Sequence, residues 1–247
     1  MTLIITEITP FGIAMVADSA YNFRELTPSG AIRQRVLQGA RKLQYIPYLN
    51  AGVSMWGAGR IRSITGEVFA DIWMEDFIRR YEGIGSLGDF ADALREELQK
   101  SMGEEGRPLG FHLAGYEELR GRKWPAFYHV RNCEGGYAEL EIHEFITGKE
   151  YGHDLHPDER VETVWYNGDY GLYKNLRAEV EEGLARVKAI TGFDVPHPSL
   201  EGRIKYLAAW VKFISDMYEA SRLPREIGSE VDCLGITPLE EPIRFCL

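Results

Sequence analysis

Met1-Thr-Leu-Ile-Ile-Thr-Glu-Ile-Thr-Pro-Phe-Gly-Ile-Ala-Met-Val-Ala-Asp18 is the stretch whose reading decides the fold. Thr2 to Ile8 are mainly strand formers, Pro10 to Gly12 supply a turn, and Ile13 to Ala17 make an apolar run too short for a free-standing helix. The pattern predicts a β-hairpin. Antiparallel pairing brings its two ends together, a hydroxyl on Thr2 and a carboxylate on Asp18. A small residue after the initiator methionine is the usual condition for removing Met1, and removal leaves Thr2 with a free α-amine.

Outward from the hairpin, residues 21–40 are polar and turn-rich and read as an exposed excursion between strands. Arg41 to Tyr48 reads as a short strand ended by Pro47, and Leu49 to Trp56 as its partner before Gly57-Ala58-Gly59. Beyond Gly59 the spacing of Ile61, Ile64, Val68, Phe69, Ile72, Trp73 and Phe77 predicts one helix ending near Gly83. A second helix, capped by Ser86 or Asp89, carries Phe90, Leu94 and Leu98 and closes at Gly103 and Gly106. Strands follow at Pro108 to Tyr116, Trp124 to Val130 and Leu140 to Ile146, then at Val161 to Tyr166. A helix is expected from Tyr170 to Ile190. Ser199 caps another carrying Ile204, Leu207, Val211 and Ile214, which Leu223-Pro224 ends. Ile227 to Thr237 and a short segment through Phe245 complete the strands. The order is strands, two helices, strands, two helices, strands. It predicts an α+β chain, two stacked sheets with helix pairs outside, a four-layer α/β/β/α body in one domain spanning residues 1–247.

Composition bounds the function. The chain has 247 residues, 45% of them apolar, enough for a substantial core. A net charge of −10 without a Lys/Arg block argues against nucleic acid as a partner. Three cysteines, Cys133, Cys233 and Cys246, with no Cys-x-x-Cys, suggest neither a disulfide framework nor a zinc ribbon and fit a reducing cytoplasm. Residues 1–20 lack a basic leader region, and no apolar run is long enough for a membrane span, so no signal peptide and no membrane partner are expected.

The ordered series of Thr2 before a strand, Gly12-Ile-x-Met-x-Ala-Asp18, Lys42-Leu-x-x-Ile46, Gly52 with Gly57 following, and Ile227-Gly-x-x-Val-Asp-Cys-Leu-Gly-Ile236 resembles a proteasome β-type subunit, in a divergent bacterial-type branch. The resemblance implies an N-terminal-nucleophile hydrolase that self-associates into rings, acts on polypeptide and needs no cofactor; any unfoldase partner is unspecified. Carried over by position, Thr2 is the nucleophile and its freed α-amine, through a water, the base, because a hydroxyl at neutral pH needs an adjacent base. Lys42 is the cation that tunes that amine, Asp18 holds Lys42, and the Gly57 N–H is an oxyanion donor. The chain departs from the family after Asp18, where it reads Ser19-Ala20, in the length from Asp18 to Lys42, and in Ser221 to Gly228, which offers no match for a near-site Asp and Ser. Asp169 falls where the family has a further polar residue.

Each residue also has a plainer reading: Thr2 as a common second residue, Asp18 as a turn residue, Lys42 as a solvated edge cation, Gly57 as a turn glycine. A silent assembly subunit and a small-molecule amidase of the same class stay open. His153 and His156 read as a solvated loop rather than a metal pair, and His112, His129 and His143 as core or sheet-surface residues. No Gly-x-Ser-x-Gly elbow or phosphate-cradling Gly-Lys-Ser/Thr occurs.

Overall fold

The structure is a computed structural model and describes residues 2–27, 29–63, 66–102, 107–132, 139–150, 163–192, 195, 198–221 and 227–247. The opening hairpin is present as β1 (Leu3–Thr9) and β2 (Gly12–Asp18), with Ile4 opposite Ala17 and Thr9 opposite Gly12. Every residue of both strands is buried, which explains why apolar side chains occupy both faces. At the turn the Thr9 hydroxyl donates to the Gly12 carbonyl at 2.9 Å and accepts from the Phe11 N–H at 3.1 Å.

The polar excursion is itself a hairpin, β3 (Tyr21–Leu26) and β4 (Ile32–Leu37), closed by Thr27, whose N–H and hydroxyl both reach the Ala31 carbonyl. Its turn residues were legible, but not the pairing they close. Next come β5 (Leu43–Ile46) and β6 (Ala51–Gly57), which pair as the sequence predicts, joined by a 3-10 turn at Pro47–Leu49 that takes Leu49 out of the expected strand. The single helix expected beyond Gly59 is instead a hairpin followed by a shorter helix: β7 (Arg60–Ser63), β8 (Gly66–Phe69) and α1 (Ala70–Arg80). Ile61 pairs across to Val68, so two apolar residues spaced as on a helix meet as cross-strand partners. Ile72, expected on the packed face, is half exposed.

α2 (Leu87–Met102) starts at Ser86, whose hydroxyl accepts the Asp89 N–H at 3.0 Å. β9 (Leu109–Leu119), β10 (Arg122–Arg131) and β11 (Glu141–Ile146) form the expected meander, followed by the short α3 (Thr147–Glu150). β12 (Thr163–Gly168) leads into α4 (Gly171–Thr191), and α5 (Leu200–Ala220) is capped by Ser199, whose hydroxyl accepts the Gly202 N–H at 3.0 Å. β13 (Val231–Ile236) and β14 (Ile243–Cys246) end the described chain. The expected helix stop at Leu223-Pro224 lies outside the described residues.

The molecule is thus a mixed α and β chain with two five-stranded antiparallel sheets. Their orders are β12-β1-β2-β13-β14 and β11-β10-β9-β6-β5. Alternation along the strands divides the core in three. Leu3, Ile5, Ala14 and Val16 pack with Ile204, Leu207, Val211 and Ile214 of α5. Val53, Met55, Phe111 and Leu113 pack with Trp73, Phe77, Phe90 and Leu94 of α1 and α2. The opposite faces meet, Ile4, Ile8, Ile13 and Met15 of the first sheet against Trp56, Ala114 and Phe127 of the second. Phe127 stacks on Trp165 there, ring centroids 4.0 Å apart, a pair that adds about 0.5–1.5 kcal/mol beyond its buried area. Among the described residues no helix is long and apolar enough to cross a membrane.

Candidate active site

Thr2, Asp18 and Lys42 meet at the open end of the first hairpin. The start of β1 carries Thr2 and the end of β2 carries Asp18. Lys42 comes from the other sheet, immediately before β5, where its carbonyl accepts the Met55 N–H of β6 at 3.0 Å. The Lys42 ammonium donates to Thr2 Oγ1 at 2.5 Å and to both Asp18 oxygens at 3.1 Å. Thr2 is 5% exposed, Lys42 1% and Asp18 0%. A solvated edge cation is therefore the wrong reading of Lys42.

Backbone donors build the Asp18 site. Leu3 N–H donates to Oδ1 at 2.9 Å, and the Ala20 and Gly228 N–H groups donate to Oδ2 at 3.1 and 2.8 Å. A buried carboxylate persists because such charge-assisted bonds offset its desolvation. Burial is the largest influence on Lys42 and lowers its pKa from 10.5, while Asp18, Asp232 and Asp71 oppose that shift. The Tyr21 ring lies 5.8 Å from Lys42 Nζ, and its hydroxyl accepts the Asp71 N–H at 3.0 Å.

Thr2 is also held through its main chain. The Asp169 N–H donates to the Thr2 carbonyl at 2.6 Å, and the Tyr218 hydroxyl donates to the Asp169 carboxylate. Gly168, at φ +91°, makes this approach possible, since a Cβ there would lie 1.7 Å from the Thr2 carbonyl oxygen. Asp169 thus touches the site through its N–H, while its carboxylate is held by Tyr218. Tyr21 carries no sequence signal of its own, and Gly228, though part of the Ile227 to Ile236 series, is given no role by it. Ser221 caps α5 through Tyr218, and residues 222–226 lie outside the described residues, as do Met1, Cys133, His153 and His156.

Gly57 stands at the end of β6, beyond the Met55 that bonds Lys42. It has φ +90°, and a Cβ there would lie 2.1 Å from the Pro108 carbonyl oxygen, which by itself requires glycine. Among the described residues no hydrogen bond joins Gly57 to Thr2, Asp18 or Lys42. A cleft of about 500 Å³ opens beside the cluster between the edges of the two sheets, lined by Arg41, Leu43, Tyr45, Asp232, Leu234 and Arg244 among others. It includes neither Thr2 nor the Lys42 side chain. Asp232 in its wall has a pKa pushed up to about 6, by burial first and then by Glu230 and Asp18.

His112 and His129 are buried and His143 is exposed, and no group of three or more His, Cys, Asp or Glu side chains suited to a metal occurs among the described residues. What the cluster offers is a hydroxyl in contact with a buried amine, which a buried carboxylate orients. No protein-family model matches the chain, and no curated protein matches it.

Proposed function

We propose that the chain is a threonine-type N-terminal-nucleophile hydrolase of the proteasome β-subunit kind, with Thr2 as its nucleophile once Met1 is removed. The observation that carries this reading is the buried contact of Lys42 Nζ with Thr2 Oγ1 and with both oxygens of Asp18. Burial lowers the Lys42 pKa, which favours the neutral amine, and in that form the amine takes the hydroxyl proton directly. Asp18 stabilises the ammonium that results. The threonine oxygen attacks an amide carbonyl, and the oxyanion donor is the Gly57 N–H that the family resemblance implies. The freed α-amine of Thr2, in its ammonium form, gives a proton to the departing amine. Water then hydrolyses the ester on Thr2. This differs from the sequence expectation in one respect: Lys42, which contacts the Thr2 hydroxyl, takes the role of base given there to the α-amine.

The three apolar clusters support a four-layer α/β/β/α arrangement of one domain, helices outside and two sheets within. Half-exposed Val187, Phe213 and Met217, with largely exposed Ile190 on α4, supply an apolar surface for self-association into a ring, with polypeptide as substrate in the cytoplasm. A second reading, a silent assembly subunit, is favoured by the 5% exposure of Thr2 and by the separation of the large cleft from it.

Intact-mass measurement on native protein and labelling with a threonine-directed electrophile decide between the two. The first reading expects loss of Met1 and one adduct per chain, absent in Thr2→Ala. Retained Met1 and no adduct favour the silent subunit, and undiminished labelling of Thr2→Ala rules Thr2 out. Turnover of a short acyl amide without cleavage of unfolded polypeptide would mark a small-molecule amidase.

A further inference from the structure

We infer that His112 is a positioning residue for Thr2, acting from the second sheet through Asn167 and the Gly168-Asp169 turn; the inference rests on the reading of Thr2 as the reacting hydroxyl. The space between the sheets is lined by hydrocarbon, with Ile4, Ile8, Met15, Ala114 and Phe127 around it. A polar chain runs through it. His112 on β9, fully buried, lies with Nδ1 3.1 Å from the hydroxyl of Thr6 on β1 and with Nε2 2.7 Å from Oδ1 of Asn167 on β12. With Asn167 Oδ1 as acceptor, Nε2 carries the ring proton and Nδ1 accepts from the Thr6 hydroxyl. A neutral imidazole is thereby satisfied at both nitrogens.

The ring braces a diagonal. Thr6 pairs with Trp165 and Asn167 with Ile4, so Asn167 lies nearer Thr2 along the same two strands. A slip of β12 by one residue would turn Asn167 to the opposite face and break the bond, which makes the imidazole a register lock. The residues after Asn167 are those that grip Thr2. Gly168 pairs with Leu3 and closes on the Thr2 carbonyl, and the Asp169 N–H bonds that carbonyl at 2.6 Å. A hydrocarbon side chain would fill the inter-sheet space at lower desolvation cost. The polar chain is explained by what it holds: the Thr2 main chain, and with it the placing of the hydroxyl on Lys42. Around His112 lie Thr6, Asn167, the Phe127 ring at 4.9 Å, the His129 ring at 4.8 Å and buried Ser54, its cross-strand partner on β6, and His129 accepts the Trp56 indole N–H at 3.2 Å.

The test uses the full chain. In His112→Phe, which keeps a ring but no hydrogen bond, and in Asn167→Leu, which breaks the brace at its other end, labelling of Thr2 in the folded fraction should slow by about tenfold or more, since small misplacements of a reacting group carry penalties of that order. Asn167→Asp, which keeps an acceptor, should recover most of the rate lost in Asn167→Leu. The pH titration of the Lys42 side chain, followed by NMR, should move its midpoint in both disrupting variants. A folded variant that labels at the wild-type rate with that midpoint unmoved overturns the inference, and Asn167→Leu supplies the answer where His112→Phe does not fold. Should wild-type protein show no label on Thr2, the hydrolase reading falls, and the Lys42 titration alone decides whether His112 positions the cluster.

Discussion

Asp18→Asn and Lys42→Met are nearly isosteric changes to the two halves of one buried ion pair, and the structure predicts unequal costs. Lys42 Nζ bonds only Asp18 and Thr2 Oγ1 among the hydrogen bonds described, whereas Asp18 also accepts three backbone N–H groups. Asp18→Asn leaves a buried ammonium facing a neutral amide. It also turns an NH2 group toward either Leu3 N–H or the Ala20 and Gly228 N–H pair, so that donor meets donor. Removing one partner of a buried pair costs about 3–5 kcal/mol, and the lowered pKa of Lys42 limits the loss by letting the amine shed its proton. Lys42→Met leaves the carboxylate with all three main-chain donors and should cost less, roughly 1–3 kcal/mol. The double variant should then cost less than the sum of the two, because either single change already breaks the Lys42–Asp18 contact, which cannot be lost twice. Urea denaturation at pH 7.5 measures all three, provided the slopes with denaturant stay constant. A Lys42→Met variant at least as destabilised as Asp18→Asn, or a strictly additive double variant, would refute the account of how Asp18 is held.

Gly168→Ala should destabilise by well over about 1 kcal/mol in a thermal melt, since φ is +91° and the added carbon would collide with the Thr2 carbonyl; a neutral result would remove the close approach of β12 to Thr2. Burial is the main cause that pushes His112 down to about 4 and His129 to about 2, from 6.5. Because the unfolded chain binds these protons first, the stability the two residues confer is complete above about 6.5. It falls as pH drops toward 4, by up to about 1.4 kcal/mol per pH unit for each histidine. Urea midpoints at pH 7.5 and 5 should show the drop, and His129→Gln should remove part of it; an identical drop in that variant would show that His129 does not contribute. Ile190→Asp with Phe213→Asp should shift sedimentation from an assembled species to a smaller one, and a wild-type chain already monomeric at high concentration would discard the ring.

Local pattern accounts for much of the fold and for less of the site. The first hairpin, the β9–β11 meander, the Ser86 and Ser199 caps and both long helices of the second half lie where turn residues and periodicity put them. The failures have physical causes. Ile61 and Val68 are spaced as on a helix, but Gly66, at φ +124°, turns the chain so that they pair across strands. In the 21–40 stretch, the pairing of β3 with β4 was not evident from a polar composition that also suits a loop. Within the site, Thr2 and Asp18 were legible because the hairpin joins their ends. Lys42 and Gly57 were named by resemblance alone. Asp169 was under-read because part of its role lies in a main-chain N–H, which every residue but proline carries.

Local chemistry alone settles that a strand, a turn and a second strand open the chain and that a hydroxyl and a carboxylate end up side by side. Neighbouring residues and a two-residue period are enough for that. Only tertiary structure decides that the hydroxyl meets an amine. Lys42 enters from the second sheet, 40 residues from Thr2, the Gly228 N–H reaches Asp18 across 210, and His112 touches Thr6 across 106. No periodicity connects positions so far apart. Their meeting depends on how two apolar sheet faces stack, and that packing is what buries Lys42 and lowers its pKa.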